Sequence, residues 1–203
     1  MGEWRAYPGA LGETCLHLCV DTQRLFREET DWHTPWLARV LPRVERLVAA
    51  HPARTILTRF IPAQHPGEGR GTWSGYSRRW ASMTLDRLEP GLVDPVPELA
   101  RFVPPAETFD KAVYSPWLGT DLDERQRARG IDTLVVTGGG ETEVCVLATV
   151  LGAVDLGYRV FLVTDALCSS CDAAHDALLT MYRRRYGQEG HTVTAEEVLL
   201  AWT

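Results

Sequence analysis

Short apolar runs rich in β-branched residues alternate along this chain with segments of helical period, and nothing else restricts its fold as strongly. The runs fall at 14–20, 54–60, 108–111, 132–137 and 159–164, with an edge strand expected at 191–193. Behind the first run, Thr34-Pro35 reads as an N-cap followed by proline at the first helical position. Leu37, Val40, Leu41, Val44, Leu47 and Val48 then recur at helical spacing. Thr120 is expected to cap a helix over 121–129 that Gly130 stops. Further helices are expected from about Thr142 to Leu156, over 170–186 and after Thr194, where Glu197 stands in the capping-box position. Strands alternating with helices imply a largely parallel sheet covered on both faces. The expected fold is a three-layer α/β/α sandwich on a six-stranded, Rossmann-like sheet, formed as one domain over residues 1–203. Residues 61–105, rich in Gly, Pro, Trp and Arg, form a long irregular insertion with a short helix near 76–88. Loops of that length in a compact domain are usually functional.

Charge and cysteine usage exclude several classes. The net charge of −6 argues against nucleic acid as a partner, because phosphate binding needs a basic face. No apolar run approaches the roughly 18 residues of a membrane span. The segment Met1-Gly2-Glu3-Trp4-Arg5 lacks the apolar core of a signal peptide, so a cytoplasmic protein is expected. Five cysteines, an odd number, argue against a disulfide framework, and Cys15 and Cys19 read as buried thiols. Cys168 and Cys171 make one C-x-x-C with no second pair for a structural zinc. The Gly138-Gly139-Gly140 run follows the fourth strand and lacks the G-x-G-x-x-G of a first βα turn, so dinucleotide binding is rejected.

Three residues remain that carry chemistry. In parallel α/β sheets, ligands bind beyond the carboxyl ends of the strands, where strand order reverses. Asp21, Lys111 and the segment leading to Cys145 all follow strand ends, which sends them to one rim. Thiol chemistry on an amide needs a thiolate, a proton carrier and donors for the oxyanion. Cys145 falls in the first turns of an expected helix, whose N-terminus favours a thiolate, and a nearby Lys111 adds to that. Asp21 suits the proton carrier. The glycines ahead of Cys145 allow a tight turn that aims N–H groups into the site.

Together with their surroundings these residues resemble the isochorismatase-like cysteine hydrolases, which include nicotinamidases, N-carbamoylsarcosine amidases and ureidoacrylate amidohydrolases. Leu18-Cys19-Val20-Asp21-Thr22-Gln23-Arg24-Leu25-Phe26 looks like the family's strand ending in D-x-Q-x-x-F. Residues 109–120, FDKAVYSPWLGT, look like its K-x-x-Y-S-x-F-x-G-T segment. The third stretch runs from Gly130-Ile131 through Thr142-Glu143-Val144-Cys145-Val146 to Gly157-Tyr158-Arg159-Val160 and Asp165-Ala166.

The resemblance implies Asp21 as general base, Lys111 as the cation beside it and Cys145 as nucleophile, with N–H groups of Glu141 and Cys145 as the oxyanion hole. It implies a cis peptide at Gly140–Glu141, where this chain departs from the usual aliphatic and small residues. The Glu141 side chain either touches substrate or faces water. Phe26, Trp73, Tyr114, Trp117, Gly140 and Glu141 are the implied substrate-binding residues. Within 61–79, Gln64, His65, Arg70, Trp73, Tyr76, Arg78 and Arg79 read as a lid that offers arginine to a carboxylate, or as an oligomer contact. Family nicotinamidases hold a metal through D-x-H and a further His. Residues 58–65, TRFIPAQH, have no D-x-H, and neither metal nor other cofactor is expected. The expected function is metal-independent hydrolysis of an amide, carbamoyl or ureide C–N bond in a small molecule through a thioester. The alternatives are vinyl-ether hydrolysis through Asp21 and a catalytically silent binding protein. A homo-oligomer, dimer or tetramer, is expected by the same resemblance.

Overall fold

The first strand, β1 (Cys15–Val20), is buried at all six positions, as a central strand covered on both faces must be. Its side chains alternate between two cores. Cys15 and Cys19 join one apolar cluster, while Leu16, Leu18 and Val20 join the other. The computed structural model, which describes residues 11–185 and 190–202, builds the sheet outward from this strand.

Its partners are β2 (Thr55–Phe60), β3 (Glu107–Lys111), β4 (Thr133–Glu141), β5 (Arg159–Cys168) and β6 (Gly190–Val193). All pair in parallel, in the order β3-β2-β1-β4-β5-β6. The helices are α1 (Arg24–Arg27), α2 (Leu37–Ala50), α3 (Thr72–Arg79), α4 (Pro97–Ala100), α5 (Leu122–Ala128), α6 (Leu147–Asp155), α7 (Asp172–Arg185) and α8 (Ala195–Ala201). One core takes Leu37, Val44 and Leu47 of α2 with Val198 of α8. The other takes Leu122 of α5, Val150 of α6 and Leu178 of α7. The three layers expected from the sequence are therefore present, and strand order reverses between β1 and β4, which places a crevice beyond their carboxyl ends. Among the described residues, no helix is long and apolar enough to cross a membrane.

Several boundaries differ from expectation, each for a local reason. Thr34 is tied by its N–H to the Phe26 carbonyl at 2.8 Å, so α2 starts at Leu37 rather than Pro35. Thr120 turns its hydroxyl to the Pro116 carbonyl, leaving Asp121 at the N-cap of α5. In the insertion, the helix lies at 72–79 rather than 76–88. The glycine run does not break into a turn, because β4 continues through it to Glu141. A π-helical turn, Thr142–Val146, then links β4 to α6. The capping box at Thr194 is present, with Glu197 N–H donating to Thr194 Oγ1 at 3.3 Å and Thr194 N–H to Glu197 Oε2 at 2.7 Å. Tyr186, the expected end of α7, and residues 1–5 lie outside the described residues.

Candidate active site

Asp21 is the residue at which the chain leaves β1. It takes φ +51°, the one positive value at a non-glycine among the described residues, and such a strained position is typical of functional sites. Thr58 of β2 fixes it twice, donating from Oγ1 to Asp21 Oδ1 at 2.7 Å and accepting the Asp21 N–H at 3.1 Å. Lys111 closes β3, and its side chain reaches across β2 to place Nζ 2.7 Å from Asp21 Oδ2. Both side chains are fully buried. Nζ also donates to the Val113 carbonyl at 3.1 Å and stands 5.3 Å from the centre of the Phe60 ring. Burial alone pulls the lysine pKa down, but the facing charge of Asp21 outweighs it and holds the ammonium above its ordinary value.

Cys145 sits on the π-helical turn. Thr142 anchors that turn, donating to the Cys168 carbonyl at 2.8 Å and meeting His175 Nδ1 at 3.0 Å. Thr149 donates to the Cys145 carbonyl at 2.7 Å. Cys145 is 5% exposed, and it and Asp21 flank Gly140. The thiol's pKa lies above the ordinary value. Burial raises it most, Lys111 opposes, and the negative charge of Asp21 raises it again. The depression expected from a helix N-terminus does not appear, because desolvation of a thiolate outweighs the remaining attraction.

The glycines explain how Asp21 and Cys145 come together. A Cβ at Gly139 would stand 2.8 Å from Leu37 Cδ1 and 2.9 Å from Thr22 Cα, and one at Gly140 would stand 3.1 Å from Asp21 Cβ and 3.3 Å from Cys145 Cβ. They serve close packing, not a turn, and Gly139 N–H donates to Thr22 Oγ1 at 2.9 Å. The implied cis peptide at Gly140–Glu141 is also corrected. Cis bonds among the described residues fall at Val103–Pro104 and Pro104–Pro105, while Glu141 remains extended strand, paired with Cys168.

Cys145 opens on a cavity of about 350 Å³. Phe26, Tyr114 and Glu141 line it, and Gly140 lies behind it against Asp21 and Cys145. Trp73 lines an adjoining cavity of about 190 Å³, with its ring 4.9 Å from Tyr114. Trp117 lines neither. It fills the space over Gly152 of α6, donates from Nε1 to the Thr149 carbonyl at 2.8 Å and stacks on Tyr158 at 5.4 Å. The arginines expected of a lid do not line the cavities either. Arg78 donates to Ser74 Oγ at 2.8 Å, and Arg79 packs 5.3 Å from the Trp80 ring. His65 pairs with Asp86 at 3.0 Å on the exposed side of the insertion.

Sequence reasoning missed Trp32, Phe60 and Trp80, which line both cavities, and Asp31, His33 and Ser170, which line the larger. It also gave no role to Gln23. That buried side chain donates to the carbonyls of Phe60 (3.1 Å) and Val93 (2.7 Å) and accepts the Phe60 N–H at 2.8 Å, fixing a ring of the cavity wall. The polar spacing of D-x-Q after a strand was the available signal for Gln23. Residues 28–33 show no periodicity, which left Trp32 without one.

A family model described as the isochorismatase domain matches residues 15–197. An isochorismatase family protein of Bacillus subtilis, YwoC, is 38% identical over 92 residues, 45% of this chain and 47% of that protein. The matched stretch spans about half the length of the curated relatives. Among solved structures, a cysteine hydrolase from Pseudomonas syringae pv. phaseolicola superposes with a TM-score of 0.76 at 24% identity, covering 97% of this chain and 98% of that one. An N-carbamoylsarcosine amidase from Thermoplasma acidophilum does so with a TM-score of 0.71 at 22% identity, covering 90% and 96%. At these identities the structural likeness concerns the fold.

Proposed function

The chain belongs to the isochorismatase family, and from that premise we propose that it hydrolyses an amide, carbamoyl or ureide C–N bond of a small molecule through a Cys145 thioester. The observation that carries this reading is the buried Asp21–Lys111 pair at 2.7 Å behind Cys145, which itself lines a ligand-sized cavity. The cycle starts from the thiol. Asp21 takes its proton as sulfur approaches the carbonyl carbon, and Lys111 balances the charge that results. The tetrahedral oxyanion rests against the N–H groups of Glu141 and Cys145. Collapse breaks the C–N bond, and Asp21 returns the proton to the leaving ammonia or amine. Water, deprotonated by Asp21, then attacks the thioester, releasing the acid and restoring the thiol. No metal is needed for any of these steps. The cytoplasm and a homo-oligomeric state, dimer or tetramer, belong to the same reading.

The raised thiol pKa fits this sequence of steps, because a proton is moved only when a substrate is in place. A panel of small primary amides, carbamoyl compounds and ureides, assayed for released ammonia with wild type and Cys145→Ala, tests it. Turnover that disappears in the variant supports the thioester route. Turnover that survives supports carboxylate chemistry through Asp21, as in vinyl-ether hydrolysis.

A further inference from the structure

The cavity beside Cys145 is walled by rings and carboxylates, and among the described residues no lysine or arginine lines it. Trp32 links the wall's rings, its own lying 5.6 Å from Phe60, 5.9 Å from Tyr76 and 6.2 Å from Trp80. The charged side chains facing it are Asp31 and Glu141, with His33 nearby. Among the described residues, each carboxylate is met by a neutral hydroxyl, Ser82 for Asp31 and Ser170 for Glu141, and neither joins an ion pair. The adjoining smaller cavity adds Glu68, whose Oε2 accepts the N–H groups of Gln64 and His65, and among the described residues no lysine or arginine. Two basic groups touch the rings from outside the lining, Arg79 at 5.3 Å from Trp80 and Lys111 at 5.3 Å from Phe60, and leave Trp32 and Tyr76 to a ligand. Arg59 bonds Asp94 and Asp110, Arg78 bonds Ser74, and Lys111 is neutralised by Asp21.

An anionic substrate would meet two carboxylates here and no counter-charge. A cation would meet ring faces, which attract it through their quadrupoles, and carboxylates bonded only to neutral hydroxyls. We propose that the amide substrate carries an ammonium or quaternary ammonium group, seated among Trp32, Phe60, Tyr76 and Trp80 with Glu141 and Asp31 as its counter-charges. This rests on the hydrolase reading of the same site and replaces the carboxylate-bearing substrate that a lid of arginines would have received. The negative field of Glu141 already reaches the sulfur and both tyrosines, raising Cys145, Tyr76 and Tyr114. The chain's net charge of −6 favours approach of the same class of molecule.

Three amides of equal length test the proposal: butanamide carrying a terminal trimethylammonium, its tert-butyl isostere, and glutaramate with a terminal carboxylate. The ammonium amide is expected to exceed the isostere in kcat/KM by about tenfold and glutaramate by more. In Glu141→Gln the ratio of ammonium amide to isostere should fall towards one. Equal or better turnover of the isostere or of glutaramate overturns the proposal and leaves the hydrolase reading standing. A second measurement needs no turnover. Tetramethylammonium chloride should quench tryptophan fluorescence in Cys145→Ala and slow iodoacetamide labelling of Cys145 in wild type, where sodium chloride at the same concentration does neither. Binding without cleavage of any amide supports the cation site and defeats the hydrolase reading. Absence of both defeats both.

Discussion

Replacing Lys111 by methionine leaves the Asp21 carboxylate without its counter-ion in a site where both side chains are fully buried. At 2.7 Å the pair's attraction is about 6 kcal/mol with an effective dielectric constant of about 20, and desolvation of the two ions cancels much of it. Removing one partner is a different perturbation, because the remaining carboxylate keeps its desolvation cost and loses its compensation. Thr58 supplies only Oδ1, through one hydroxyl at 2.7 Å. The expected loss for Lys111→Met is about 3–5 kcal/mol. For a chain of this size that corresponds to about 6–20 °C in Tm. The double variant Asp21→Asn/Lys111→Met removes both charges and should recover most of the loss, giving a coupling of roughly 2 kcal/mol or more. Urea unfolding followed by circular dichroism at neutral pH measures all four corners of the cycle. A Lys111→Met variant within about 1 kcal/mol of wild type, or a double variant no better than the single, would refute the argument that the pair is buried and mutually dependent.

His17 is fully buried on β1, its Nε2 2.8 Å from Thr137 Oγ1, and burial followed by repulsion from His51 lowers its pKa to about 3. The unfolded chain binds a proton near pH 6.5 that the folded chain refuses, so stability is complete above that pH and falls by about 1.4 kcal/mol per unit below it. Denaturant midpoints between about pH 6 and pH 4 should show this slope in wild type and a shallower one in His17→Leu. Gly139→Ala forces a Cβ to within 2.9 Å of the Thr22 backbone and should cost about 1–3 kcal/mol, read from thermal unfolding. Light scattering at micromolar concentration is expected to give a dimer or tetramer mass, and a single monomeric mass contradicts that.

The sheet was legible because runs such as 132–137 are β-branched and continuous, which only a strand buried on both faces requires. The rim was legible for a related reason. Asp21 and Lys111 follow their strands directly, so topology alone brings them to one end of the sheet, whatever their side chains do. The remainder depended on contacts between distant residues. Gly138-Gly139-Gly140 gave the same letters for a turn as for close packing, and the choice was made by Leu37 and Thr22. Trp117 stood in a matched motif, yet the space left by Gly152, 35 residues on, drew its ring onto α6, where Cβ at Gly152 would stand 2.4 Å from Trp117 Cδ1. The π-helical turn has no composition of its own. The direction of the thiol pKa is a balance of burial against charge, which spacing does not report.

The thioester is tested most directly by intact-protein mass spectrometry during turnover of an amide the protein cleaves, quenched in acid within the first cycle. A thioester predicts a mass increase equal to the acyl group, mapped to the peptide holding Cys145, discharged by hydroxylamine and absent in Cys145→Ala, which should retain the fold and release no ammonia. An adduct on another residue, or ammonia released by Cys145→Ala at the wild-type rate, contradicts it.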